Sequence, residues 1–391
     1  QKIGQVDRVA VVTPLLSGTL DELTATWAAA VGGARRFRYE AFAYEAIREA
    51  NRIVFDRPTV PQHDFDRADL LVSFGADFME TWLAPVKYTR LHTDARRVQN
   101  GIKSRFVHLE ARLSMTASSA DEWIPVQPGT EGLVAMAMVH TILAEQRVQA
   151  QDLSDEALRQ IEVFIGETSA ETVSAQTGIP ATRIVDLARA FSDPNIGPGR
   201  TLAVGGGIAV SGENATEAQI AIALLNLVAG NIGSTVRLDA TSIWDPVNSY
   251  SDMLTLTQAM SNGEIEVAIF HNVNPVFTLP AAADFGSALD NVPFVVSTSS
   301  YPDETSARAH IVLPTHTPLE SWGDHRPGNG ISGLMQPTMQ PLFDTKHFGD
   351  VLLGIGRALT VPSAPEESGP EPESDLSQLP DGDFYLSLIH I

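Results

Sequence analysis

Residues 265–324 read IEVAIFHNVNPVFTLPAAADFGSALDNVPFVVSTSSYPDETSARAHIVLPTHTPLESWGD, and this stretch decides the fold. Val267–Phe270 is apolar without alternation, as in a strand buried on both faces. Asn272-Val273-Asn274-Pro275 ends it, because Asn favours turns and Pro cannot continue a ladder. Ala281–Leu289 has helical spacing, and Phe294–Val296 is a second buried run. Asp303-Glu304-Thr305 follows at that run's carboxyl end, where open α/β sheets bind ligands. Ile311–Leu313, stopped by Pro314, is the third strand.

Outward from this stretch the same alternation continues. Arg8–Thr13, Ala68–Phe74, Phe106–Leu109, Trp123–Val126 and Thr201–Val204 read as strands. Glu22–Val31 (capped by Asp21), Thr81–Leu91, Gly132–Glu145 and Ala215–Ala229 read as helices between them. Arg35–Tyr44 reads as a charged aromatic connector. The segment after Asp324 reads as loop until a last helix, Asp350–Ala358. Strands alternating with helices predict an α/β architecture with parallel sheets. Residues 359–391 are rich in Pro, Glu, Ser and Asp and are expected to form a disordered linker. The last six residues, LSLIHI, match the translation of a transposase end used in sequencing libraries. Residues 386–391 are therefore expected to be foreign, and the chain a fragment.

Composition narrows the function. With 26 basic and 48 acidic residues the formal charge is −22, which argues against nucleic acid and against direct docking on anionic lipid. No apolar run approaches the roughly 20 residues of a membrane span. There is no cysteine, which removes thiolate catalysis, Cys-ligated zinc and any Cys-held iron–sulfur cluster within this segment.

Loops at strand carboxyl ends are natural phosphate cradles. Five qualify: Gly75–Asp77, Glu110–Arg112, Pro128–Glu131, Gly205–Gly207 and Asn272–Pro275. The glycine triple also fits an ordinary nucleotide-binding enzyme, although a glycine run after a strand is more often a packing turn. His316, Glu320, Asp324 and His325 are the nearest approach to a metal cluster. The first three are four apart and share a face only in a helix, which Pro318 opposes, so a surface loop is the simpler reading and no metal residue is assigned. No nucleophile elbow of the Gly-x-Ser-x-Gly type occurs, and no catalytic residue is assigned. Trp82, Trp123, Trp244 and Trp322 sit beside loops and are read as buried packing or interface residues.

Asn272–Pro275, Asp303–Thr305, Leu313-Pro314 and Leu319-Glu320 together resemble the molybdopterin oxidoreductase family. The wording HNVNPVFTLP, PDETSARAHIVLP and LESWGD resembles, within it, the large peripheral subunit of alternative complex III, a quinol-oxidising respiratory complex. The resemblance covers residues 8–358. It implies parallel-sheet, three-layer domains like domains II–III of formate dehydrogenase and DMSO reductase. It also implies a discontinuous layout: residues 1–38 with 240–358 as one domain, and 39–239 inserted as a second. The family positions for two pterin–guanine dinucleotides would fall at Gly75, Asp77, Glu110, Arg112, Gly129, Thr130, Glu131, Gly205, Asn272, Asn274, Asp303 and Thr305.

Several of these depart from the family pattern. Asp77 stands for Asn and Phe78 for Pro; Glu110-Ala111 replaces Asp-Pro; Glu131 replaces Asp; Asn272 replaces Gly; His310 replaces an acidic residue. Asp77 and Glu110 put negative charge where phosphate would lie. The region matching the family's metal ligand, Arg38–Glu45, has no Cys, Ser or Asp; Tyr39, Phe42 and Tyr44 are expected to fill it, and Glu40 and Glu45 are its only carboxylates. The reading is therefore a scaffold without cofactor, the sites being vestigial. The alternatives are an active molybdenum bis-molybdopterin guanine dinucleotide oxidoreductase, an unrelated nucleotide-binding enzyme, and a soluble adaptor. The resemblance implies a periplasmic, peripheral place on the bacterial inner membrane. Its partners would be a multihaem cytochrome, an integral quinol-binding subunit and an iron–sulfur part further along the same chain.

Overall fold

The computed structural model describes residues 8–98, 103–151, 153–328, 330–360 and 383–384. In chain order the strands are β1 (Val9–Thr13), β2 (Arg35–Arg38), β3 (Gln62–His63), β4 (Leu70–Phe74), β5 (Arg105–Leu109), β6 (Glu122–Ile124), β7 (Thr201–Gly205), β8 (Val236–Arg237), β9 (Val267–Phe270), β10 (Phe294–Ser297), β11 (Ile311–Val312), β12 (Gly323–Gly328) and β13 (Ile331–Met335). The chain divides into two compact units, Gln1–Ala43 with Pro246–Ile391, and Tyr44–Asp245.

The first unit is built on a parallel sheet of order β11-β10-β9-β1-β2. Alternation along each strand sends side chains to opposite faces. Ala10, Val12, Ala268 and Phe270 face helix Tyr250–Ser261 and its neighbour Phe285–Leu289, through Met253, Leu256, Phe285 and Leu289. Val11, Ile269 and Val296 face helices Thr19–Ala30 and Phe348–Thr360, through Trp27, Ala28, Phe348 and Leu352. Both faces are covered, which is why these strands carry no polar alternation.

The second unit repeats the plan with a parallel sheet of order β6-β5-β4-β7. Leu70, Val72, Phe74, Val107 and Leu109 pack beneath helices Glu131–Ala144 and Ala215–Val228. Leu71, Phe106, Leu202 and Val204 pack against an aromatic layer of Phe65, Phe78, Trp82 and Tyr88. Among the described residues no strand pairs with the outer edge of β7. Its backbone is met by side chains instead: Asn226 donates to Ala203 O at 2.8 Å and accepts from Ala203 N at 3.0 Å, and Thr235 donates to Thr201 O at 2.7 Å. An edge closed in this way is not a template for another chain.

Several sequence expectations change. Arg35–Arg38 is not a connector but edge strand β2; Asp21, rather than capping a helix, accepts from both Arg36 and Arg38 at 2.8–2.9 Å. The helix expected at Thr81–Leu91 begins at Pro85 and runs to Ala95, proline serving as a first-turn residue. Ala281–Leu289 splits into a 3₁₀ turn (Ala281–Ala283) and a short helix (Phe285–Leu289). The loop expected after Asp324 contains the antiparallel hairpin β12–β13. Of the residues read as linker, 359–360 belong to the last helix, and 361–382 lie outside the described residues, as do 385–391. Phe384 is buried rather than loose. It packs with Leu23 and Leu353, its ring stacks on His347 at 4.1 Å, and its N–H donates to the Asp350 carboxylate at 2.7 Å.

Candidate functional site

Parallel strands bring their carboxyl ends to one edge of the sheet, so each unit gathers its loops there. In the second unit, β4 leads to Gly75–Asp77, β5 to Glu110–Arg112, β6 to Pro128–Glu131 and β7 to Gly205–Gly207. The strand order reverses between β4 and β7, which makes the crevice there the natural nucleotide position.

That crevice is filled by the unit's own side chains. Gly75 has φ +69°, and a Cβ placed on it would stand 2.9 Å from Val210 and 3.1 Å from Ala209. Trp82 is fully buried; its ring lies 3.1 Å from where a Gly207 Cβ would stand, and its Nε1 donates to Gly205 O at 3.1 Å. The glycines thus permit a close approach of protein to protein, which is one of the two uses of a small residue at a tight turn.

The charge at the neighbouring strand ends is acidic and internally satisfied. Asp77 is 4% exposed; it accepts from Thr116 Oγ1 at 2.5 Å and from Arg112 Nη2 at 3.0 Å. Burial nonetheless raises its carboxyl above the usual range. Glu110 is 2% exposed, with His108 Nε2 at 3.3 Å and Arg112 Nε at 3.4 Å. There burial pushes up, but hydrogen bonds from His108 and Ser114 and the charge of Arg112 outweigh it and lower the carboxyl. Arg112 therefore spans two carboxylates. Glu131 opens helix Glu131–Ala144, 1% exposed and raised by burial, with no hydrogen-bond partner on Oε2 among the described residues. Gly129 O accepts from Asn214 at 2.7 Å, and Thr130 donates to Gln127 O at 2.7 Å.

In the first unit the corresponding loops are knitted together. Asn272 sits at φ +49°, the left-handed conformation that Asn tolerates where Gly is absent. Asn274 accepts from Thr305 Oγ1 at 2.8 Å and donates to Glu304 at 2.6 Å; Asp303 accepts from Ser306 N at 2.6 Å. His310 accepts from Val295 N through Nδ1 at 3.0 Å. His271 stacks on Phe348 at 3.8 Å and bonds Thr298 at 2.8 Å.

The suspected metal cluster disperses. His316 meets Thr345 Oγ1 at 2.6 Å, Glu320 accepts from Thr317 N at 2.9 Å, Asp324 accepts from Thr19 N at 2.8 Å, and His325 meets Ser17 at 2.8 Å. Among the described residues no group of three or more His, Cys, Asp or Glu is placed to hold a metal ion. In the ligand region, Tyr39 and Tyr44 are buried within their own units, whereas Phe42, expected to be inside, is 38% exposed. Glu40 accepts from Leu15 N at 2.7 Å, and Glu45 begins helix Glu45–Phe55. Two features of the site are not visible in the sequence: the hydroxyl of Thr116 that holds Asp77, and the place of Trp82 inside the crevice.

A dinucleotide's pyrophosphate needs backbone N–H groups free at a glycine turn and a neutral or positive surround. The second unit offers at that point a filled crevice and two buried carboxylates sharing one arginine. These residues do not fit the group as they stand.

The family model described as molybdopterin oxidoreductase matches residues 46–353. A menaquinone reductase molybdopterin-binding-like subunit of Nitratidesulfovibrio vulgaris is 28% identical over 316 residues, covering 76% of this chain and 44% of that protein. The thiosulfate reductase molybdopterin-containing subunit of Salmonella typhimurium is 23% identical over 347 residues, again covering 76% and 44%. The structure of acetylene hydratase from Pelobacter acetylenicus superposes with a TM-score of 0.67 at 15% identity, over 90% of this chain and 55% of that one; the likeness is one of fold. The chain thus spans less than half the length of these two sequence relatives.

Proposed function

Because this chain belongs to the molybdopterin oxidoreductase family, we propose that it is a scaffold domain of that fold which has given up the cofactor, within a peripheral subunit of a membrane quinol:electron-acceptor oxidoreductase. The observation that carries the reading is the second unit's crevice: Trp82 and Val210 occupy it, and Asp77 and Glu110 flank it with negative charge. The sequence wording of residues 265–324, similar to the large peripheral subunit of alternative complex III, supports the assignment to a respiratory complex. A relative named as a molybdopterin-binding-like subunit of menaquinone reductase supports it too. In this reading the chain performs no chemistry. It holds position on the periplasmic side, beside a multihaem cytochrome and an integral quinol-binding subunit, while electrons pass through iron–sulfur clusters in another part of the parent polypeptide.

The test is to express the parent protein in a host that makes the pterin cofactor, then measure molybdenum, tungsten and released guanine nucleotide per chain. Values near zero are expected. Near-stoichiometric metal and nucleotide would overturn the scaffold reading and make the protein an active oxidoreductase.

A further inference from the structure

Behind the glycine turn, at the outer edge of β7, lies a cavity with about 30 Å³ of space reachable by the centre of a water molecule. Helix Glu45–Phe55 walls it with Ile47 and Asn51, helix Ala215–Val228 with Gln219 and Asn226, and His63 and Gly205 close it. All of these belong to the second unit. Two polar atoms of these lining residues have no hydrogen-bond partner among the described residues: His63 Nδ1 and Gln219 Nε2. Both residues are more than nine-tenths buried, at 6% and 5% exposure. A buried donor left unsatisfied costs about 1–3 kcal/mol, so two such atoms facing one cavity call for an explanation.

We propose that this cavity is an internal water site, occupied by ordered water hydrogen-bonded to both His63 Nδ1 and Gln219 Nε2. The volume suits about two molecules, since each needs roughly 10–15 Å³ measured in this way. An apolar void of this size would stay dry; His63 Nδ1 and Gln219 Nε2 supply two of the two to four partners that a buried water needs, while the Asn226 amide is already committed to Ala203, Ile222 and Asn231. The chemistry matches at each end. The Gln219 amide donates, and water accepts. His63 is held neutral by burial, so its Nδ1 either accepts from water or donates to it according to tautomer, and water serves both.

The site has a structural logic. Asn226 satisfies the β7 edge at Ala203, and Trp82 satisfies Gly205 O. The Gln219 amide nitrogen lies 3.2 Å from where a Gly206 Cβ would stand. Water in the cavity would tie this amide and His63 together beside β7, standing where a further strand would otherwise complete the sheet. The glycine turn would then be held by this water as well as by Trp82, whose ring packs 5.3 Å from that of His63.

The test is a crystal structure of the chain at a resolution that shows ordered water, paired with water-exchange NMR on the chain labelled with ¹⁵N at His and Gln. The expected result is density within hydrogen-bond distance of both nitrogens, and a long-lived water cross-peak to the Gln219 side-chain amide. The Gln219→Leu variant should lose the ordered density beside His63 Nδ1 and melt several degrees lower. A dry cavity, or a His63 ring bonded directly to Gln219, would overturn the proposal; both are read on the unaltered chain, so a variant that fails to fold does not protect it.

Discussion

Trp82→Ala is the perturbation that separates a packed crevice from an open one. The indole is fully buried among Phe65, Tyr88 and His63, with ring centroids 6.4, 5.0 and 5.3 Å away. Truncating a core Trp to Ala costs roughly 3–5 kcal/mol, the loss of transfer energy plus a cavity that relaxes only in part. The Nε1–H bond to Gly205 O adds about 1 kcal/mol, because that carbonyl is left facing the void. For a unit of this size each kcal/mol moves the melting temperature by about 2–4 °C, so a fall of about 8–24 °C is expected. Trp82→Phe keeps most of the packing and loses the hydrogen bond, and should fall by about 2–6 °C. The assay is thermal unfolding followed by circular dichroism, with the two units resolved calorimetrically. Both variants melting with the parent would refute the reasoning: the indole would then be a loose cover over an open site, and the argument against a dinucleotide would lose its main support.

Three further outcomes are expected. Burial holds His63 and His271 at a pKa of about 3 and His92 at about 4, below the unfolded value near 6.5, so the folded state binds fewer protons. Their contribution is whole above about pH 6.5 and is lost as pH falls towards their folded values, by about 2 kcal/mol per group at pH 5; denaturant titrations from pH 7 to 5 should show the decline, while the raised carboxyls of Asp77 and Glu131 return stability as pH falls through their folded values, an effect complete near their unfolded values. Thr116→Val removes the 2.5 Å donor to the buried Asp77 carboxylate and should destabilise the second unit by about 2 kcal/mol in urea unfolding. Phe384→Ala should cost the first unit about 3 kcal/mol. Gly349→Ala should do the same, because the added methyl would stand 2.5 Å from the Phe384 ring, and the double variant should be no worse than either single one.

The strands were legible because a strand buried on both faces is almost wholly apolar: Val267–Phe270 is apolar throughout, and Leu70–Phe74 and Phe106–Leu109 each admit a single buried polar residue, Ser73 and His108. β2 was not, because it lies at a sheet edge and its Arg36 and Arg38 both pair with Asp21, fifteen and seventeen positions away, a contact that no local window holds. The hairpin β12–β13 was hidden for a related reason: its second strand is exposed along its length, so the apolar alternation that marks a half-buried strand is missing. At the candidate site the sequence showed which loops gather and that carboxylates stand among them. It could not show that Thr116 and Arg112 satisfy Asp77, since those pairings depend on how β4 and β5 lie side by side. Phe384 escapes a compositional reading because composition describes the average of a segment and not the single aromatic residue that docks.

Strand β11 has a further consequence. It is the outermost strand of its sheet, and Ile311, Val312 and the following Leu313 are each more than 40% exposed. Apolar residues on a sheet edge invite pairing between molecules. What opposes it in solution is the net charge of −22, a long-range repulsion whose reach is set by the Debye length. That length shrinks from about 10 Å at 0.1 M salt to about 3 Å at 1 M. Salt should therefore push the isolated chain towards self-association, and a purification that ends in high salt would yield oligomers from a molecule that dilute buffer keeps apart.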